Sequence, residues 1–235
     1  MDGFSYNDIF ETKGLEYLII IVFLCFLIPF WMLLNKQSKM AKNLQKAWGS
    51  LSAHLLKVPQ GLYFSGNHTW MFMEKSGKAK VGLDDLLVHL TGALSFKQVC
   101  NSGEIVRKGD LLTEVQQEGK MLKIFSPISG MITEINPDLN GFASYDPYGK
   151  GWFCRIKPSN WMEETRNCYF GEQASEFSRK EFDRFKDFLS RTMVNYSPEA
   201  AMIIMQDGGE ICDQPLSDLP AEVWNRFQNE FLDLP

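Results

Sequence analysis

From Tyr17 to Leu34 eighteen consecutive residues carry no charge. A bilayer-spanning helix needs about 20 apolar residues at 1.5 Å rise each, so with Leu15 and its flanking turn the run predicts a transmembrane helix over 17–34. Pro29 removes one helical hydrogen bond and predicts a kink near Cys25. Next come Met40, Leu44, Ala47, Trp48, Leu51 and Leu55 at spacings of three and four. They predict an amphipathic linker helix within 35–60, with lysines on its other face. Such a helix suits anionic headgroups, and equally packing on the following domain or on a partner subunit. From Gly61 to Pro158 the pattern shortens to brief apolar–polar alternations broken by Gly, Asn and Ser, which predicts a mostly β domain. Within it, Asp84 to Leu90 is a short helix with Asp84 as cap. Beyond Trp161 the helical period returns. Ser178 and Glu181 have capping-box spacing, and Phe182, Phe185, Leu189 and Met193 share one face. Ala201–Met205 and Ile211–Cys212 read as short strands. Asp218 is positioned to cap a last helix bearing Val223, Trp224, Phe227 and Phe231.

Charge gives the apolar run a direction. The chain of 235 residues has a net charge of −5, which opposes a nucleic-acid partner. Residues 1–16 sum to −3, whereas residues 35–60 hold Lys36, Lys39, Lys42, Lys46 and Lys57 and no acid. Basic flanks stay cytoplasmic, so the expectation is a single pass with the 1–16 tail outside and the body in the cytoplasm. An acidic start and the lack of a small-residue cleavage site favour a retained anchor over a signal peptide. Cys25, Cys100, Cys154, Cys168 and Cys212 are odd in number and widely spaced, unlike a disulfide framework.

Several ordered motifs in the β region carry a resemblance. They are His68-Thr69-Trp70, Gly77 through Asp85 (GKAKVGLDD) with Gly92, Val106 through Asp110 (VRKGD), Ser126 through Gly130 (SPISG), Asp146 through Trp152 (DPYGKGW) and Ile156 through Ser159 (IKPS). Over about 61–165 the chain resembles the glycine cleavage system H-protein, of the lipoyl-domain superfamily. The resemblance implies a mainly β fold, a lipoyl-domain-like flattened β-barrel sandwich with a protruding hairpin. To this the chain adds the N-terminal transmembrane helix and an α+β C-terminal extension over 166–235.

The resemblance also implies lipoate on a lysine at the hairpin tip, where cofactor chemistry is presented on a flexible arm. Counted from Gly109 and from Pro127, that position is Gly119. Lys120 stands one place late, after Gln116-Gln117-Glu118. A one-residue step in a strand reverses a side chain's face, although a glycine turn loosens the rule. Glu118-Gly119-Lys120 therefore reads as a plain tight turn with a solvated lysine, as a lipoyl attachment at Lys120, or, from Lys120-Met121, as a biotin site.

Other chemistry is sparse. His54, His68 and His89 are scattered, no C-x-x-C occurs, and His68 belongs to the fold motif. Asn67-His68-Thr69 fits a glycosylation acceptor that the cytoplasmic side leaves idle. No nucleophile elbow, P-loop or dinucleotide fingerprint occurs, so no catalytic residue, metal or small-molecule substrate is expected. The sequence predicts a non-catalytic, membrane-anchored subunit with no cofactor, binding the bilayer and other subunits of a membrane redox or respiratory complex. A lipoylated carrier serving a membrane-associated oxidoreductase and a stand-alone scaffold are the alternatives. The aromatic helices are expected to cover the β domain or to meet a partner, with Trp224 and Phe227 as interface candidates.

Overall fold

The computed structural model describes residues 17–30, 50–53, 55–98, 100–139, 146–196 and 211–233. Residues 1–47 and 48–235 form separate compact units. In the first, helix α1 covers 17–30 with every residue exposed. At 1.5 Å per residue its described part is about 21 Å long, against the ~30 Å hydrocarbon core. No helix among the described residues is long and apolar enough to cross a membrane. Residues 31–34 of the expected span, and Met40, Leu44, Ala47 and Trp48 of the expected amphipathic helix, lie outside the described residues.

The second unit opens with strand, not helix. β1 (Ser50–Leu51) pairs antiparallel with β12 (Ile211–Cys212), setting Leu51 against Ile211. Both side chains are at most 1% exposed, so their burial holds the segment extended where the three-and-four spacing predicts helix. The strands between are β2 (Tyr63–Phe64), β3 (Thr69–Met73), β4 (Ala79–Leu83), β5 (Ser95–Gln98), β6 (Ile105–Val106), β7 (Leu111–Gln117), β8 (Lys120–Phe125), β9 (Gly130–Ile135), β10 (Trp152–Pro158) and β11 (Tyr169–Phe170). A seven-stranded sheet runs β11-β2-β3-β4-β10-β9-β6, and a three-stranded sheet runs β5-β7-β8. The expected flattened barrel is thus a β-rich arrangement of sheets that stay open. Alternate residues from both sheets, among them Val81, Val115, Leu122, Ile132 and Ile156, are fully buried in one core.

The motifs serve packing. Trp70 faces Gly82 across β3 and β4, and a Cβ at 82 would lie 2.6 Å from the indole. Trp70 Nε1 donates to Pro147 O at 3.1 Å. Asp146 accepts from the amides of Gly149 and Lys150, both at 3.0 Å, which fixes the turn that carries Pro147 and Tyr148. Asn67 Oδ1 accepts from Thr69 Oγ1 at 2.8 Å and its Nδ2 donates to Phe125 O at 3.3 Å, so the glycosylation-like triplet locks the β2–β3 turn.

Helix α2 (Asp85–Thr91) is capped as the sequence predicts, with Leu87 N donating to Asp84 Oδ1 at 2.8 Å. After the single turn α3 (Trp161–Glu164), α4 (Glu172–Tyr196) starts six residues before Ser178. Ser178 is therefore inside the helix, and Glu181 points inward rather than back to a cap. Helix α5 (Ala221–Phe227) continues as a π-helical turn, Gln228–Leu232. Pro220, not Asp218, stands at its N-cap, with no side-chain hydrogen bond. Phe182, Phe185 and Leu189 line the buried face of α4, while Ala201–Met205 lies outside the described residues. Trp224 and Phe227 are 1% and 0% exposed, so they are core and not the interface residues the sequence suggested. Phe227 stacks on Phe231 at 4.7 Å and meets Phe185 edge-on at 5.8 Å, so these rings satisfy one another within the chain.

One buried charge cluster joins the β domain to α4. His68 is 1% exposed and sits at φ +58°. Its Nδ1 lies 2.8 Å from Asp84 Oδ2, and its Nε2 lies 3.6 Å from Glu181 Oε2. Burial opposes charge on the imidazole, but the two carboxylates outweigh it and raise the pKa to about 9. Because the folded value exceeds the unfolded 6.5, this contribution is full below pH 6.5 and disappears as pH rises through about 9. We expect urea stability between pH 6 and 10 to fall more steeply for the native chain than for His68→Asn, which tolerates the same backbone. The pH-dependent difference approaches about 3 kcal/mol. Parallel profiles would show that His68 is not charged in the fold.

Candidate functional site: the β7–β8 hairpin

Gln117 and Lys120 form the last pair of β7 and β8, leaving Glu118 and Gly119 as a two-residue turn. Both turn residues have positive φ, +47° and +82°. That is the type I′ geometry whose twist matches paired strands, and glycine is the residue that adopts it at 119 without strain. Gly119 is exposed, and a Cβ there would meet nothing within 4 Å. The position that counting from Gly109 and from Pro127 gives the family lysine is thus in the hairpin turn, and a glycine holds it.

Lys120 is half-buried and turned away from the tip. Its Nζ donates to Ser217 O and lies 5.2 Å from the centroid of the Trp224 ring. The partner segment is itself fixed. Gln214 N and Leu216 N donate to His89 O (2.8 Å) and Leu90 O (3.0 Å), satisfying carbonyls at the end of α2. His89 Nδ1 pairs with Asp213 at 2.8 Å; this bond, then burial against it, then Asp85 and Asp213 nearby, leave the imidazole pKa raised. Trp224 Nε1 donates to Leu216 O at 2.8 Å, which aims the indole at the hairpin. Farther down, Gln228 pairs with the backbone of Lys123, accepting from its N at 2.8 Å and donating to its O at 3.1 Å. The side chain of the π-helical turn thereby covers the edge of β8.

Beside the hairpin base lies a cleft of about 770 Å³ bordered by Asn67, Lys123, Ser126, Tyr169 and Asp233. Nothing in the sequence pattern pointed to it, because its walls come from five separate segments. Of the other sequence candidates, His54 lies outside the described residues, and His68 and His89 serve the contacts above. Among the described residues no cluster of His, Cys, Asp or Glu suits a metal ion, and no cysteine forms a disulfide.

For lipoate the fit is poor in this conformation. An acyl arm needs a lysine amine facing outward; the tip offers Gly119, and the Lys120 amine faces the chain's own carbonyl and indole. No chemical step is assigned through that group here. The docked lysine has a measurable consequence. Lys120→Met keeps the aliphatic stem but loses the hydrogen bond and the cation–π contact, and is expected to lower stability by about 1 kcal/mol in urea. Lys123→Met, at an exposed position on the same strand, should stay within about 0.5 kcal/mol. Equal effects at the two positions would argue that Lys120 is not held by the C-terminal segment.

The model of the glycine cleavage H-protein family matches residues 62–181. A probable glycine cleavage system H protein of Pyrococcus horikoshii is 32% identical over 124 residues, which are 52% of this chain and 92% of that protein. A glycine cleavage system H protein of Psychrobacter cryohalolentis is 32% identical over 106 residues, 44% of this chain and 84% of that one. The crystal structure of a glycine cleavage system H protein from Mycobacterium marinum covers 53% of this chain and 98% of its own, at 26% identity and a TM-score of 0.44. On the strength of residues 62–181, this chain belongs to the glycine cleavage H-protein family.

Proposed function

We propose that the chain is a non-catalytic, membrane-anchored subunit whose H-protein-like domain binds other subunits at the cytoplasmic face without carrying lipoate. The observation behind this reading is the hairpin. Glycine holds the tip at φ +82°, and the adjacent lysine is engaged by Ser217 and Trp224. A subunit of a membrane redox or respiratory complex is the setting we favour. Anchoring is supported by the exposed apolar side chains of 17–30, and orientation by the lysines of 35–60.

A second reading, a lipoyl carrier modified on Lys120, draws support from the family itself, whose members carry lipoate on a lysine. It requires the amine to leave Ser217 and Trp224 and turn outward. Mass spectrometry of the protein from its own host separates the two. The expected result is an unmodified peptide containing Lys120, and a lipoyl or octanoyl increment there would transfer the assignment to the carrier. In parallel, extraction in mild detergent is expected to bring down the chain with other membrane-protein subunits. A lone monomer at natural abundance would leave only the stand-alone scaffold.

A further inference from the structure

At the opposite end of the seven-stranded sheet from β11 lies β6, whose outer side pairs with no strand among the described residues. Register fixes what that side offers. Ile132 N donates to Glu104 O at 2.8 Å, and Ile105 then faces Met131 while Val106 faces Gly130. Hydrogen-bonded and non-hydrogen-bonded pairs alternate along an antiparallel ladder, so the N–H and C=O of Ile105 point away from β9. Among the described residues they meet no partner. Such an edge is a template for one more strand.

The side chains beside this edge are apolar and basic. Ile105, Met131 and Lys157 are register partners on β6, β9 and β10, and they share the outer face of the sheet. Ile105 is 80% exposed and Met131 42% exposed. Arg107 and Ser129 stand one step farther along, and a groove of about 670 Å³ lies over these residues with Glu164 of α3 at its border. Glu164 is already committed, accepting from Ser129 N at 2.7 Å and from Ser129 Oγ at 2.5 Å. Nearby, Glu104 accepts from Asn101 N at 2.9 Å and Asn101 Nδ2 at 2.8 Å, and Asp110 accepts from Arg107 N at 2.7 Å. The carboxylates are thus turned to donors of their own turns. The exposed side chains of Arg107 and Lys157 have no ion-pair partner among the described residues. The edge therefore combines an apolar strip, two cations without anions and a free donor–acceptor pair.

We propose that the β6 edge docks an extended segment of another protein subunit, added as one more strand, in which an acidic side chain stands two residues from an apolar one. Period-two alternation sets that spacing, because a residue beside Ile105 and Met131 leaves the next residue on the same face beside Arg107. The N–H and C=O of Ile105 orient the segment, while apolar burial and the cations select it. A second copy of this chain fits poorly, since its own β6 edge brings cations and no uncommitted carboxylate. The proposal deepens the subunit reading and rests on it for the existence of protein partners.

The test uses the full chain in nanodiscs of neutral lipid with two fluorescent octapeptides: threonine alternating with isoleucine and glutamate in turn, and the same with lysine for glutamate. Saturable binding of the glutamate peptide, about tenfold or more tighter than the lysine peptide by fluorescence anisotropy, supports the proposal. Slowed hydrogen exchange at residues 104–107 with the glutamate peptide alone does so too. Arg107→Glu combined with Lys157→Glu is expected to reverse the preference. Ile105→Pro is expected to weaken the glutamate peptide about tenfold and to keep the fold, because proline there removes an outward N–H and no ladder bond. If that variant does not fold, the two peptides on the native chain decide alone. No saturable binding below about 1 mM, equal affinity for both peptides, or binding indifferent to the charge reversal overturns the proposal. Co-extraction with other subunits but no peptide binding overturns the docking edge and leaves the subunit reading standing. Selective peptide binding by a chain that extracts alone does the reverse.

Discussion

His68 is placed where water does not reach, with Asp84 on one side and Glu181 on the other. Three elements depend on that placement. Asp84 caps α2 while it accepts from the imidazole, so the first turn of α2 is fixed by the same carboxylate that neutralises the ring. The left-handed turn at His68 leads into β3, whose Trp70 covers Gly82. Glu181 belongs to α4, and burial notwithstanding, His68 and then Arg184 hold its carboxyl below the usual carboxylate range. Removing one member of such a buried set leaves an uncompensated charge, which costs several times what an exposed pair contributes. The H-protein-like part and the extension are therefore joined by a buried electrostatic knot inside a large apolar contact.

The second dependency runs from α2 to the hairpin. The end of α2 exposes carbonyls that need donors, and residues 214 and 216 supply them. That fixes Ser217 and Trp224, and these in turn fix Lys120. The Lys120 side chain is thereby part of a wall, held by the extension across the hairpin.

Much of this could be read from the residues. The β domain, its motifs, the Asp84 cap and the buried face of α4 all follow from local pattern. What escaped has a common cause. Ser178 and Glu181 have the spacing of a capping box, yet Glu181 answers to His68, far away in sequence, and the helix starts earlier. Trp224 and Phe227 mark an apolar face correctly, but periodicity does not say what covers it, and Phe185 and Phe188 do so. Leu51 fits a helical stripe until Ile211 pairs with it. At the hairpin the tight turn at Glu118-Gly119 was legible. The docking of Lys120 was not, because it depends on where Ser217 and Trp224 are held by α2.

The pairing of β1 with β12 sets an order of events during synthesis. Ser50 and Leu51 leave the ribosome long before their partners Ile211 and Cys212. His68 likewise waits for Glu181, since contacts distant in sequence form only after the intervening chain exists. Until then the nascent β domain holds an unpaired strand, an imidazole missing one of its carboxylates and apolar surfaces awaiting α4 and α5. The fold closes only when residues 211–212 arrive, and a ribosome stalled shortly before residue 211 would carry a domain with most of its strands and without its seal.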